Sequence, residues 1–205
     1  MNIYAPICME YPLILASASP RRKSLLGQVG IPFKSMPCDI DENSADGEPS
    51  HIAMTLAEKK AMAGHAASGK NWILGADTIV ISGNIILGKP SDREDARSML
   101  ETLSGKGHEV ITGFSIVDPS GNTACTAYES TLVSIKTLSP GEIESYIATG
   151  EPFGKAGSYA VQGIGSFMVE GIQGSYSNVV GLPLSMLIKN LLEIGALMEF
   201  PMSPV

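Results

Sequence analysis

Asp77 sits where a carboxylate needs a reason. It lies inside the run Trp72-Ile73-Leu74-Gly75-Ala76-Asp77-Thr78-Ile79-Val80-Ile81, whose apolar, β-branched character marks a strand buried on both faces. A charge there loses solvation and requires a cation, a metal or hydrogen-bond donors. The competing reading is a strand end, with Gly75 and Thr78 marking a bulge and Asp77 turned to water. Two more hard oxygen donors, Asp41 and Glu42, stand in the polar loop through Asp39 and Asp46. Cations suited to phosphate recur along the chain as Arg21, Arg22, Lys60, Lys89 and Lys155. Hard carboxylates with such cations point to magnesium or manganese handling a polyphosphate.

The elements that must position these residues follow from pattern. Leu13-Ile14-Leu15-Ala16 reads as a short buried strand after a loose leader, and Ser17-Ala18-Ser19-Pro20 turns the chain into a helix ending near Gly30. The N-terminus of that helix, with two hydroxyls and two arginines beside it, is suited to phosphate or carboxylate; the alternative is a capped surface helix with solvated arginines. Ser50 is placed to cap a second helix with an inner stripe of Ile52, Ala53, Leu56, Ala63 and Ala67, which puts Lys60 on the apolar side and Lys59 toward solvent. The Asp77 strand turns at Ser82-Gly83-Asn84 into Ile85-Ile86-Leu87, and Gly88-Lys89-Pro90 follows as a rigid turn from which Lys89 reaches either the face of Asp77 or water.

Ser91-Asp92-Arg93-Glu94 has capping-box spacing for a helix with Ala96, Met99, Leu100 and Leu103 inward and Gly105 closing it. Two longer strands, Glu109 to Val117 and Thr123 to Ile135, flank the turn Asp118-Pro119-Ser120-Gly121. Ser139-Pro140-Gly141-Glu142 opens another helix, ended by Gly150. A glycine-rich segment runs from Gly154 to Gly181; at its start, Glu151 to Tyr159 and the continuation Gln162-Gly163-Ile164-Gly165 either let backbone approach a ligand, with Lys155 and Gln162 as donors, or form turns of a β-rich lobe, and a last helix runs from about Leu184 to Leu197. This alternation predicts an α/β or α+β chain with a mixed sheet.

The totals narrow the function. A chain of 205 residues, 44% hydrophobic and 17% charged, is long enough for a real core. Its net charge of −7 argues against broad nucleic-acid binding while leaving room for a local cationic pocket. Cys8, Cys38 and Cys125 have neither disulfide nor zinc spacing, and His51, His65 and His108 stand alone. Residues 1–15 carry no Lys or Arg, so the start of a signal peptide is missing, and no stretch is long enough to span a bilayer. The expectation is a cytoplasmic protein with no membrane partner. Walker A, Gly-x-Gly-x-x-Gly and Gly-x-Ser-x-Gly patterns are missing, which sets aside P-loop, dinucleotide-binding and serine-hydrolase designs.

Leu15-Ala16-Ser17-Ala18-Ser19-Pro20-Arg21-Arg22, Asp39-Ile40-Asp41-Glu42, Gly75-Ala76-Asp77-Thr78, Gly88-Lys89-Pro90, Gly154-Lys155-Ala156-Gly157-Ser158-Tyr159 and the block from Ile172 to Leu184 stand together in one order. In that order the chain resembles the Maf family over roughly residues 13–198. The resemblance implies a nucleoside triphosphate pyrophosphatase that needs a divalent cation, Mg²⁺ or Mn²⁺. It also implies an α/β fold like the inosine triphosphate pyrophosphatases: a long bent mixed sheet flanked by helices, two lobes around a cleft, and a homodimer. The domain plan it suggests is a leader at 1–11, one catalytic domain at 12–199 and a tail at 200–205.

Asp77 matches the family's water-activating base. Ser17, Arg22, Glu42, Lys60, Lys89 and Lys155 match its cleft set, with Asp77 and Glu42 as our expected metal ligands. Arg21, Thr78 and Gln162 match the positions marking specificity, and here they look like the branch acting on dTTP and UTP. The sister branch acting on 7-methyl-GTP differs over residues 157–163, and Gly154 stands where many relatives carry Asp. The rival expectations are a nucleotide-binding regulator of cell division or septum formation without significant turnover, and a hydrolase of purine triphosphates.

Overall fold

Apolar runs become strands and capped amphipathic runs become helices largely where the pattern puts them. The computed structural model describes residues 4–41, 45–68 and 70–202. In chain order the elements are β1 (Leu13–Leu15), α1 (Pro20–Gln28), β2 (Phe33–Ser35), α2 (Pro49–Ser68), β3 (Ile73–Ser82), β4 (Ile85–Leu87), α3 (Arg93–Leu103), β5 (Gly107–Val117), β6 (Thr123–Ile135), α4 (Pro140–Ala148), β7 (Val169–Gln173), α5 (Tyr176–Val180) and α6 (Leu184–Glu193). Short 3-10 turns occupy Ala156–Ser158 and Ile164–Met168.

The strands form a seven-stranded sheet in the order β2-β1-β3-β5-β6-β7, with β4 paired to β3. β1 is parallel to β2 and β3, whereas β3–β4 and β6–β7 are antiparallel, so the sheet is mixed as expected and helices flank it. The chain separates into two compact units, one comprising residues up to Asp77, Thr112–Glu129 and Gly181 onward, the other Thr78–Ile111 and Ser130–Val180.

In the first unit, α2 packs through small side chains. Its buried residues are Ala53, Leu56, Ala57, Ala61 and Gly64, so the expected stripe holds at Ala53 and Leu56 but not at Ala67, which is exposed, or at Ile52 and Ala63, which are half-buried. Gly75 on β3 explains the difference: a Cβ there would lie 2.1 Å from the Ala57 carbonyl oxygen and 2.6 Å from the Ala61 nitrogen. Helix backbone therefore rests directly on the strand, and small residues rather than bulky ones face it. Ile14, Ala16, Ala61, Ile73 and Val117 close the core alongside. The leader is not loose throughout. Trp72 Nε1 donates to the Ala5 carbonyl at 3.0 Å, and Ile7 is buried with its N–H bonded to the Ala196 carbonyl at 2.8 Å. A buried indole N–H needs an acceptor, and the leader supplies it.

In the second unit, Ala96, Met99, Leu100 and Leu103 of α3 are all buried and share a core with Val110, Val133, Ile143, Tyr146 and Ile147. The α3 cap is Asp92, whose side chain accepts from the Asp95 N–H at 2.9 Å, not Ser91; the helix starts one residue later than capping-box spacing suggests. The Ser139 box on α4 is complete in both directions. The pattern does not predict β2, β7 and α5: each is five residues long or shorter and lies among polar or glycine-rich residues where periodicity is weak. Among the described residues, no helix is long and apolar enough to cross a membrane.

Candidate active site

Along β3 every residue is buried except Asp77 and Thr78, which sit at its middle and are half-buried. The strand-end reading of Asp77 therefore fails. Asp77 shares a strand face with Gly75, two residues earlier, because side chains alternate with period two. Gly75 is where α2 touches the strand, and Lys60 immediately precedes Ala61 at that touching point. The geometry brings Lys60 Nζ to 2.6 Å from Asp77 Oδ1, with the two side chains 12% and 14% exposed. A charge-assisted contact this short fixes the carboxylate's direction. Among the described residues Asp77 Oδ2 takes no hydrogen bond or ion pair, so the carboxylate keeps a second acceptor oxygen beside the one that Lys60 holds.

A second group of cations stands at the β1–α1 turn. The parallel register Leu15↔Leu74, counted onward, sets Ser17, just past the carboxyl end of β1, alongside the Ala76–Asp77 stretch at the middle of β3. Carboxyl ends of parallel strands are where α/β sheets usually take ligands. Ser17 and Arg22 are 8% and 9% exposed. Arg22 Nη1 donates to Ser17 Oγ at 3.1 Å and Nε donates to the Gly181 carbonyl at 2.8 Å. Ser19 caps α1, with Pro20 at its first position, so the helix N-terminus opens beside these donors. Arg21 is half-buried on the same turn. Ser17, Arg21, Arg22, Lys60 and Asp77 thus lie within the first unit, while Glu42 lies outside the described residues.

The second unit carries Thr78, Lys89, Lys155 and Gln162. Lys89 is exposed on its turn, and the Gly88 carbonyl accepts from the Gly157 N–H at 3.0 Å, which ties that turn to the one following Lys155. Lys155 Nζ donates to the Glu151 carbonyl in a short hydrogen bond. Gln162 is half-buried on the loop between the two 3-10 turns. Deeper in this unit, His108 Nε2 lies 2.8 Å from the Tyr159 hydroxyl, and burial pushes the histidine down to about 4 and the tyrosine well above its ordinary value. Those two groups belong to the core.

Among the described residues there is no cluster of three or more His, Cys, Asp or Glu side chains able to hold a metal. Magnesium and manganese are usually bound by one or two carboxylates together with substrate phosphates, and Asp77 is a carboxylate of that kind. Three features that position the site were not read from the sequence. Gly75 had a signal, an isolated glycine within a strand, which marks close backbone approach. The Gly181 carbonyl and the Glu151 carbonyl had none, because any residue carries a carbonyl.

The Maf-like protein family model matches residues 12–194. A dTTP/UTP pyrophosphatase of Ruminiclostridium cellulolyticum is 50% identical over 183 residues, covering 88% of this chain and 94% of that protein. One from Syntrophotalea carbinolica is 44% identical over 199 residues, 96% of this chain and 90% of that protein. One from Geobacter sulfurreducens is 47% identical over 186 residues, 90% and 97% respectively. Among solved structures, a nucleoside-triphosphatase / dITP/XTP pyrophosphatase from Mycobacterium abscessus aligns with TM-score 0.40 and 15% identity, over 68% of this chain and 94% of that one. The ordered motifs, carried on a mixed α/β frame and matched across nearly the whole length, place this chain in the Maf-like protein family.

Proposed function

We propose that this chain is a nucleoside triphosphate pyrophosphatase that hydrolyses dTTP and UTP, taking up one water and releasing the nucleoside monophosphate and pyrophosphate. The observation that carries the reading is the Lys60–Asp77 pair at 2.6 Å in the middle of a buried strand, in a chain 44–50% identical to proteins named for that reaction. A carboxylate held in one direction by an ammonium is arranged to orient an attacking water and take its proton. Arg21, Arg22, Lys60, Lys89 and Lys155 supply positive charge for the triphosphate, and the α1 N-terminus beside Ser17 adds donors. Such transfer is carried mainly by positioning and electrostatics. Thr78 and Gln162 are assigned to the pyrimidine, whose carbonyl and N–H edge an amide can pair. When bound, a divalent cation would neutralise phosphate charge; Asp77 would hold it, with Glu42 as the second carboxylate.

Residues 12–199 are taken as one catalytic domain after the 1–11 leader and before the 200–205 tail. A homodimer in the cytoplasm is the working form, in keeping with three free cysteines. The test is a panel of dTTP, UTP, CTP, dGTP and ITP with Mg²⁺ or Mn²⁺, read as pyrophosphate release. Release from dTTP and UTP above the rest is expected. Nucleotide binding without release would favour the regulator, and preference for ITP would favour the purine hydrolase; either overturns the assignment.

A further inference from the structure

The segment that carries Gln162 is pinned on both sides of that residue by one carboxylate and one phenol. Tyr146 of α4 is 2% exposed. Its hydroxyl donates to Glu151 Oε2 at 2.8 Å and accepts from the Ala160 N–H at 3.2 Å. Glu151 then accepts the Gly165 N–H on Oε2 at 2.7 Å and the Ile164 N–H on Oε1 at 3.1 Å. Its own N–H is bonded to Thr149 Oγ1 at 3.1 Å, and its carbonyl accepts from Lys155 Nζ. Burial raises the Glu151 pKa, and the donors from Gly165, Tyr146 and Ile164 more than reverse this, leaving it below the ordinary glutamate value.

The chain is shaped to this clasp. Gly163 adopts φ +93°, and a Cβ there would fall 2.3 Å from Glu151 Oε1. The backbone can close over the carboxylate only because that position has no side chain. Ala160 is held before Gln162 and Ile164 and Gly165 after it, while the Gln162 amide itself takes no partner among the described residues. A flexible loop would sample many orientations of that amide, and a three-point hold removes most of them before any ligand arrives.

We propose that Glu151, acting with Tyr146, is a positioning residue for base selection. It sets the backbone register of Ala160–Gly165 so that Gln162 meets the base edge, and it aligns Lys155 through its carbonyl. Neither Glu151 nor Tyr146 touches substrate in this scheme. The proposal rests on the pyrophosphatase reading given above.

The experiment is a kinetic cycle on the full chain with dTTP and dGTP, comparing wild type, Glu151→Gln, Glu151→Ala, Gln162→Ala and the Glu151→Gln/Gln162→Ala double variant, with thermal melts of each. Glu151→Ala is expected to lower kcat/KM for dTTP about tenfold, mainly through KM, and to change that for dGTP much less. Glu151→Gln keeps one acceptor oxygen and is expected to fall between. In the Gln162→Ala background the Glu151→Gln effect on the dTTP/dGTP ratio should nearly vanish, because the two residues act through one another. A ratio unchanged by Glu151→Gln, or a ratio effect that persists undiminished without Gln162, overturns the proposal. A loss of kcat shared equally by both nucleotides does the same, since a purely structural role predicts it. If Glu151→Ala does not fold, the Glu151→Gln cycle decides alone. Wild type that releases pyrophosphate from neither dTTP nor UTP would instead sink the pyrophosphatase reading and this role with it.

Discussion

Gly75→Ala isolates the packing that places the proposed base. The added Cβ would lie 2.1 Å from the Ala57 carbonyl oxygen and 2.6 Å from the Ala61 nitrogen, well inside the 3.0 Å below which such contacts essentially do not occur. Both obstacles are helix backbone, so no rotamer change relieves them; α2 must retreat by about 1 Å, and overpacking of this kind costs about 1–3 kcal/mol. For a chain of this size that is a fall in Tm of roughly 2–12 °C. Lys60 travels with α2, which would stretch its 2.6 Å contact to Asp77 to about 3.6 Å, outside hydrogen-bonding range. A misplacement of about 1 Å in a catalytic group can cost about a hundredfold in rate. The assay is pyrophosphate release from dTTP at least ten degrees below the variant's own Tm, alongside a melt, with Gly27→Ala as the control because a Cβ there meets nothing within 4 Å. Gly27→Ala should hold or slightly raise Tm, replacing a helical glycine. A folded Gly75→Ala protein with wild-type turnover would refute the claim that this contact positions Lys60 and Asp77.

Asp77→Asn keeps the shape and removes the basic oxygen, so dTTP turnover should drop at least about a hundredfold with nucleotide binding largely kept; near-normal turnover would remove Asp77 from the role of base. Arg22→Lys gives up the forked donation to Ser17 and the Gly181 carbonyl, which a single ammonium does not reproduce, and should destabilise the fold by about 1–3 kcal/mol in urea melts. His108 is held neutral by burial, at about 4, while the unfolded chain takes up its proton near 6.5. Its stabilising contribution is therefore present in full above pH 6.5 and is lost as pH falls through that value toward 4, because the unfolded state then binds more protons. His108→Gln should flatten that acid limb of the stability profile, measured by urea melts between pH 7 and pH 4.5; an unchanged slope would mean other groups set it.

The parts of the site that were legible in the sequence share one property: a residue type at odds with its surroundings. Asp77 stood out because its neighbours were apolar, and the structure supplies the demanded cation in Lys60. Lys60 itself was placed on the inner side of its helix, although the stripe around it was misjudged. The pattern expected Ala63 and Ala67 because it assumed side chains meeting side chains, whereas Gly75 lets helix backbone meet strand. Helix starts were legible where a cap had its full chemistry, as at Ser139, and slipped by a residue where two cap formers stood side by side at Ser91 and Asp92. What stayed hidden is held by groups every residue owns. Arg22 is aimed by the Gly181 carbonyl, Lys155 by the Glu151 carbonyl, and the loop bearing Gln162 by the N–H groups of Ala160, Ile164 and Gly165. Residue type announces which side chains could act on a triphosphate. Their orientation is a property of the backbone around them, and a single glycine such as Gly75 or Gly163 is the only trace of it that composition leaves.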